Sequence, residues 1–140
     1  MKKNELHNLI RQEIPQITYL ETDSPEAAEG EFALWEVDDC TIMLDFADNK
    51  SDCHTIQAAL QNVSRKITFL NDNKNAIIQT LHTEHPELST ENMRGVYVSF
   101  WIENATEVFC DLLVSSDDWA MQAAAFSLED DNELIFNGLE

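Results

Sequence analysis

Residues 95–140 contain no lysine, arginine or histidine. The whole 140-residue chain has eight Lys and Arg against 27 Asp and Glu, a formal net charge of −19. Solubility needs far less charge, and interspersed charges of both signs supply it at lower electrostatic cost. The shortage of cations excludes some partners at once. Nucleic acid is held by a cationic stripe that releases phosphate counterions, and no such stripe exists here; anionic membrane surfaces are disfavoured for the same reason.

Other scarcities narrow the chemistry. Three glycines leave no phosphate-cradling loop of either common type, and no serine sits in a nucleophile elbow. No window approaches the ~20 apolar residues of a membrane span. The opening MKKNELHNLIRQEIP has no apolar core and no small-residue cleavage site, so we expect no signal peptide and a cytoplasmic location. In that setting the acceptor patterns Asn62-Val-Ser64 and Asn104-Ala-Thr106 carry no glycosylation. Cys40, Cys53 and Cys110 are odd in number and lack a short-spacing motif, which predicts reduced, buried thiols.

Hydrophobic residues make up 44% and charged ones 25%, the balance of an ordered globular chain. At this length one core suffices, so residues 1–140 read as a single domain. Residues 4–13 form a short helix with Leu6, Leu9 and Ile10 on one face, stopped by Pro15. An acidic loop follows at 21–31, punctuated by Pro25 and Gly30. The α+β core then occupies 32–140. It opens with a hairpin, 32–37 and 40–46, turning at Asp38-Asp39. In the second strand Ile42, Leu44 and Phe46 face one way and Thr41, Met43 and Asp45 the other.

Cys53, Ile56, Leu60, Val63, Ile67 and Leu70 recur at spacings of three and four, one apolar stripe over five helical turns. Ser51 is the expected N-cap, with Asp52 favourable against the helix dipole. Asn71-Asp-Asn73 breaks the run. A shorter helix carrying Ala76, Ile77, Ile78 and Leu81 ends before Pro86, which makes an αα-hairpin. The period then changes to two. Val96, Val98, Phe100 and Ile102 alternate with Tyr97, Ser99, Trp101 and Glu103; Val108, Cys110, Leu112 and Val114 alternate with Glu107, Phe109, Asp111 and Leu113. Two more strands are expected at 121–128 and 133–137, joined by Glu129-Asp-Asp-Asn132. The order is α-ββ-αα-ββββ: an α+β fold, mainly antiparallel, with the αα-hairpin packed on one face.

Catalytic and metal-binding readings find little support. His82-Thr-Glu-His85 lacks the spacing of a zincin, and histidines near a helix C-terminus are ordinarily dipole partners. Cys53 and His54 point to different helix faces. Asp117-Asp118 and Glu129-Asp130-Asp131 lack the glycine and the downstream glutamate of an EF-hand. We therefore expect no enzyme, no cofactor and no metal.

The hairpin LWEVDDCTIMLDF, the helices SDCHTIQAALQNVSRKITFL and NKNAIIQTL, and the acidic hairpins from VYVSFWIEN to LEDDNELIFNG resemble the small α+β domains of the DUF2004 group. More loosely, the same order is similar to bacterial immunity proteins of polymorphic and contact-dependent toxins. The turn Asp38-Asp39, where such domains usually carry glycine, departs from the pattern. The resemblance implies a cytoplasmic inhibitor of one cognate basic toxin domain, a nuclease by preference, and transfers no site residues.

Aromatics among carboxylates on an uncovered sheet face form the candidate contact surface: Trp101, Glu103, Glu107, Phe109, Asp111, Asp117, Asp118 and Trp119. Acidic groups suit a cationic cleft, and aromatic anchors supply buried contact. The competing readings are an acidic housekeeping or interaction domain without a toxin partner, and a nucleic-acid mimic. Self-association through Trp101 and Phe109 leaves monomer and homodimer both open.

Overall fold

Every second side chain of Val108–Ser115 is buried, and similar alternation marks most of the other strands. A chain patterned this way must stack its apolar rows under something, and the helices supply the cover. The computed structural model describes residues 1–47 and 52–140. Within them α1 (Lys3–Glu13) leads into strands β1 (Ile17–Glu21), β2 (Ala27–Leu34) and β3 (Val37–Phe46). Helices α2 (Cys53–Asp72) and α3 (Lys74–Glu84) follow, then β4 (Arg94–Ile102), β5 (Val108–Ser115), β6 (Ala123–Leu128) and β7 (Leu134–Leu139). The strands form one seven-stranded sheet in sequential order. All neighbours are antiparallel except β3 and β4, which the α2–α3 crossover makes parallel. The α+β class, the mainly antiparallel sheet and the helical pair inserted before the last four strands are as the sequence implies.

The helices cover one face only. Ile56, Leu60, Val63, Ile67 and Leu70 of α2 lie in one core with Phe32, Ile42, Phe100, Leu112 and Phe126 of the sheet. Lys66 shares this layer at 1% exposure. Its ammonium donates to the Glu129 carbonyl at 3.0 Å and to Asn132 Oδ1 at 3.4 Å, which meets the hydrogen-bonding demand of a buried cation and ties α2 to the β6–β7 turn. No helix among the described residues is long and apolar enough to cross a membrane.

Several boundaries differ from the sequence reading, each for a local reason. Strand β1 is absent from that reading because a bulge between Ile17 and Tyr19 breaks its alternation. The acidic stretch 21–31 is a loop only at 22–26. Gly30 lies inside β2, where a Cβ would collide with the carbonyl oxygen of Tyr19. The first tight turn is Trp35-Glu36, not Asp38-Asp39, with both residues left-handed (φ 52° and 72°). Such φ values match the twist of a two-residue hairpin but strain a side-chain-bearing residue. Trp35 accepts the strain because its ring is buried, its indole N–H donates to the Leu70 carbonyl at 2.8 Å, and its backbone N–H donates to Asn71 Oδ1 at 2.9 Å.

Val96 is exposed instead of inward, since a bulge at Gly95/Tyr97 shifts the register. Strand β6 begins at Ala123, after a left-handed Ala120-Met121 turn. The N-cap of α2 is Asp52, whose carboxylate accepts from the Thr55 N–H at 2.8 Å; Ser51 lies outside the described residues. Cys53 is exposed, one turn before the buried stripe begins, whereas Cys40 and Cys110 are buried. Burial, helped by Asp39, pushes the Cys40 thiol up to about 12, and burial raises Cys110 as well.

Two outcomes follow from this architecture. Glu36→Gly removes left-handed strain at a solvent-facing site and should raise stability by about 1 kcal/mol in urea unfolding, with an unchanged m-value. A thiol reagent at neutral pH should label Cys53 within minutes and reach Cys40 and Cys110 only in denaturant.

Candidate protein-docking face

The face of the sheet opposite the helices is built in cross-strand rows. One row runs Ala27, Asp45, Trp101, Phe109. The next runs Glu29, Met43, Ser99, Asp111, Ser127, and a third runs Glu31, Thr41, Tyr97, Leu113, Ala125. These residues share a face because each alternates with a buried neighbour: Ile42 and Leu44 in β3, Val98 and Phe100 in β4, Cys110 and Leu112 in β5. Trp101 and Phe109 stand side by side at 47% and 41% exposure, and Tyr19 is a separate exposed aromatic on β1, in the Glu31–Tyr97 row.

The carboxylates around this pair are held in place. Glu103 accepts from the Trp101 indole N–H at 2.7 Å. Asn104 closes the β4–β5 turn by accepting from the backbone N–H groups of Thr106 and Glu107, and its amide donates to the Glu107 carboxylate at 2.8 Å. Asp111 accepts from the Ser127 hydroxyl at 3.0 Å. On β1 the phenol of Tyr19 donates to Glu21, an interaction that holds it above its ordinary pKa.

Five of the sequence-derived contact residues, Trp101, Glu103, Glu107, Phe109 and Asp111, thus come together at one end of β4 and β5. Asp117 and Asp118 are exposed but sit beyond the opposite end of β5, about 24 Å away at strand rise. There Asp117 lies 3.8 Å from Arg94, and Asp118 accepts from Asn92 at 3.1 Å. Trp119 is a correction. It is 1% exposed, and its indole N–H donates to the Ser89 carbonyl at 2.6 Å, so it closes the core under the 3-10 turn Asp117–Trp119 and offers nothing to a partner. Its pattern of acids followed by tryptophan looks the same in sequence whether the ring points out or in.

Sequence reasoning missed the contribution of the first hairpin. Asp45, Glu29 and Glu31 join the face only because β3 pairs with β4 in parallel, a long-range fact with no local signal. The charge distribution follows the layers. Residues 17–47 hold nine acids and no Lys, Arg or His, and residues 95–140 hold ten and none. The helical segments 1–16 and 52–93 hold seven acids, six Lys or Arg and four His. The helix layer is close to neutral, and the net charge belongs to the strands and their turns.

Among the described residues no group of three or more His, Cys, Asp or Glu is placed to hold a metal. His82 is hydrogen-bonded to Thr90 and His85 to Glu87, each on the exposed end of α3. What the open face presents is an acidic and aromatic surface whose carboxylates are held by hydrogen bonds.

The two tryptophans should separate cleanly. Trp119→Ala should cost about 3–5 kcal/mol in unfolding free energy, and Trp101→Ala about 1 kcal/mol or less. No family model, curated protein or solved structure matches this chain.

Proposed function

We propose that this protein is an immunity protein, which binds a cognate cationic toxin domain and neutralises it by covering the toxin's active cleft with the open sheet face. The observation that carries the reading is the segregation of charge: 19 acids and no cation along 17–47 and 95–140, with Glu103, Glu107 and Asp111 beside an exposed Trp101–Phe109 pair, and a nearly neutral helix layer. Charge needed only for solubility has no reason to concentrate in one layer, where mutual repulsion opposes folding. A nuclease is the first candidate class for the toxin, because it must hold phosphates with Lys and Arg and so presents a cationic cleft. Acidic groups speed the encounter, while the aromatic pair supplies the desolvated contact that sets residence time. Capture of a toxin inside its own cell needs both.

The test is calorimetric titration with the C-terminal fragment of the protein encoded immediately upstream, at two salt concentrations, beside a toxicity assay. Tight binding that weakens with salt and silences the fragment is expected. Glu103→Lys, Glu107→Lys and Asp111→Lys together should lower the association rate by about 10–100-fold, and Trp101→Ala should weaken affinity by about 30-fold. Reversal of Asp117 and Asp118, at the far end of β5, should change affinity less than about threefold. No binding at either salt, or full protection by the triple reversal variant, would contradict the reading and favour an acidic domain without a toxin partner.

A further inference from the structure

The open face is not uniformly flat. A trough of about 430 Å³ crosses β4, β5, β6 and the end of β7. The surface dips because small side chains, Ser99 and Ala125, flank Asp111 and Leu113 of β5, and because Gly138, opposite Ala125, has open space where a Cβ would stand. Tyr97 forms one wall, its hydroxyl anchored on the Met43 sulfur at 3.0 Å. Asp111, Asn137 and Glu140 line the remainder. A hydrogen-bonded chain crosses the mixed polar and apolar floor: Asn137 donates to the Ser127 hydroxyl, which in turn donates to Asp111 Oδ1. That chain leaves Asp111 Oδ2 unused by any side-chain hydrogen bond among the described residues.

We propose that this trough receives an arginine side chain of the partner. The claim deepens the docking reading and rests on it for the identity of the macromolecule, but the trough's preference stands on its own geometry. Asp111 and Glu140 supply negative charge, and Tyr97 supplies an aromatic wall against which a planar cation can lie. Asp111 Oδ2 presents a free acceptor to N–H donors. A guanidinium suits the Tyr97 ring and the Asp111 carboxylate, which stand on neighbouring strands: it stacks, carries a delocalised charge and presents parallel donors. An ammonium is a strongly hydrated point charge that gains little from the aromatic wall. A phosphate or carboxylate ligand is repelled by the same acids. The trough volume also leaves room for the backbone on either side of the inserted residue, so the occupant is an arginine at the tip of a loop or helix.

The probe is acetyl-arginine amide, titrated into the full chain and followed by amide chemical shifts, with acetyl-lysine amide in parallel. The largest shifts should fall on Ser99, Asp111, Ala125 and Asn137, and the arginine probe should half-saturate at a several-fold lower concentration than the lysine probe. Asp111→Asn, which keeps the shape and the Ser127 contact, should weaken the arginine probe by about tenfold. Ala125→Phe should fill the trough and abolish the local shifts while leaving the rest of the spectrum in place. Shifts spread over Glu29, Glu31 and Glu103 as strongly as over the trough, or equal response to both probes, would overturn the proposal. If the arginine probe fails but the upstream fragment still binds with salt dependence, the trough assignment falls and the docking reading stands. If the probe binds the trough and the fragment does not bind, the docking reading falls and the trough remains an arginine site.

Discussion

The one-sided cover of the seven-stranded sheet constrains everything else in this molecule. A sheet with two apolar faces needs cover on both; this sheet encodes one apolar face, and α2 supplies a matching stripe from Ile56 to Leu70. Burial of that stripe against Phe32, Ile42, Phe100, Leu112 and Phe126 fixes the register, because a one-residue slip of any strand would turn its apolar row into water. The opposite face is fixed by the same act. Trp101, Phe109 and the carboxylates around them face solvent because their sequence neighbours are buried.

Charge follows from this frame. The helix layer mixes signs, and its buried Lys66 serves structure by pinning the β6–β7 turn. The strand layer carries nearly all the net charge, so its acids repel one another across rows only a strand spacing apart. Such repulsion opposes folding and is relieved when a cationic surface docks. Two copies of the chain would place these faces charge against charge, which disfavours self-association through them. Under the proposed function, a basic partner would regain on contact what the free protein loses by holding its acids together.

Much of this was legible in the sequence because alternation and helical spacing are local. Val98 through Ile102 and Val108 through Val114 read as two strands with a buried and an exposed face, and that is how they fold. Trp101, Glu103, Glu107, Phe109 and Asp111 are brought together for that reason. The misreadings share a physical origin in features that local pattern cannot carry. Strand β1 is hidden by its bulge. The Trp35-Glu36 turn uses left-handed residues without glycine because contacts with the end of α2, distant in sequence, stabilise it. Trp119 turns inward to meet the Ser89 carbonyl, and Asp45 joins the open face through a parallel pairing set by the helical crossover.

The most direct test of the open face as the docking surface is hydroxyl-radical footprinting of the chain, alone and with the upstream-encoded C-terminal fragment. Trp101 and Phe109 should lose reactivity in the complex, while fully exposed Met121, in the turn before β6, stays as reactive as in the free protein. Unchanged oxidation of Trp101 and Phe109 in a formed complex, with protection on the helical side instead, would contradict the account.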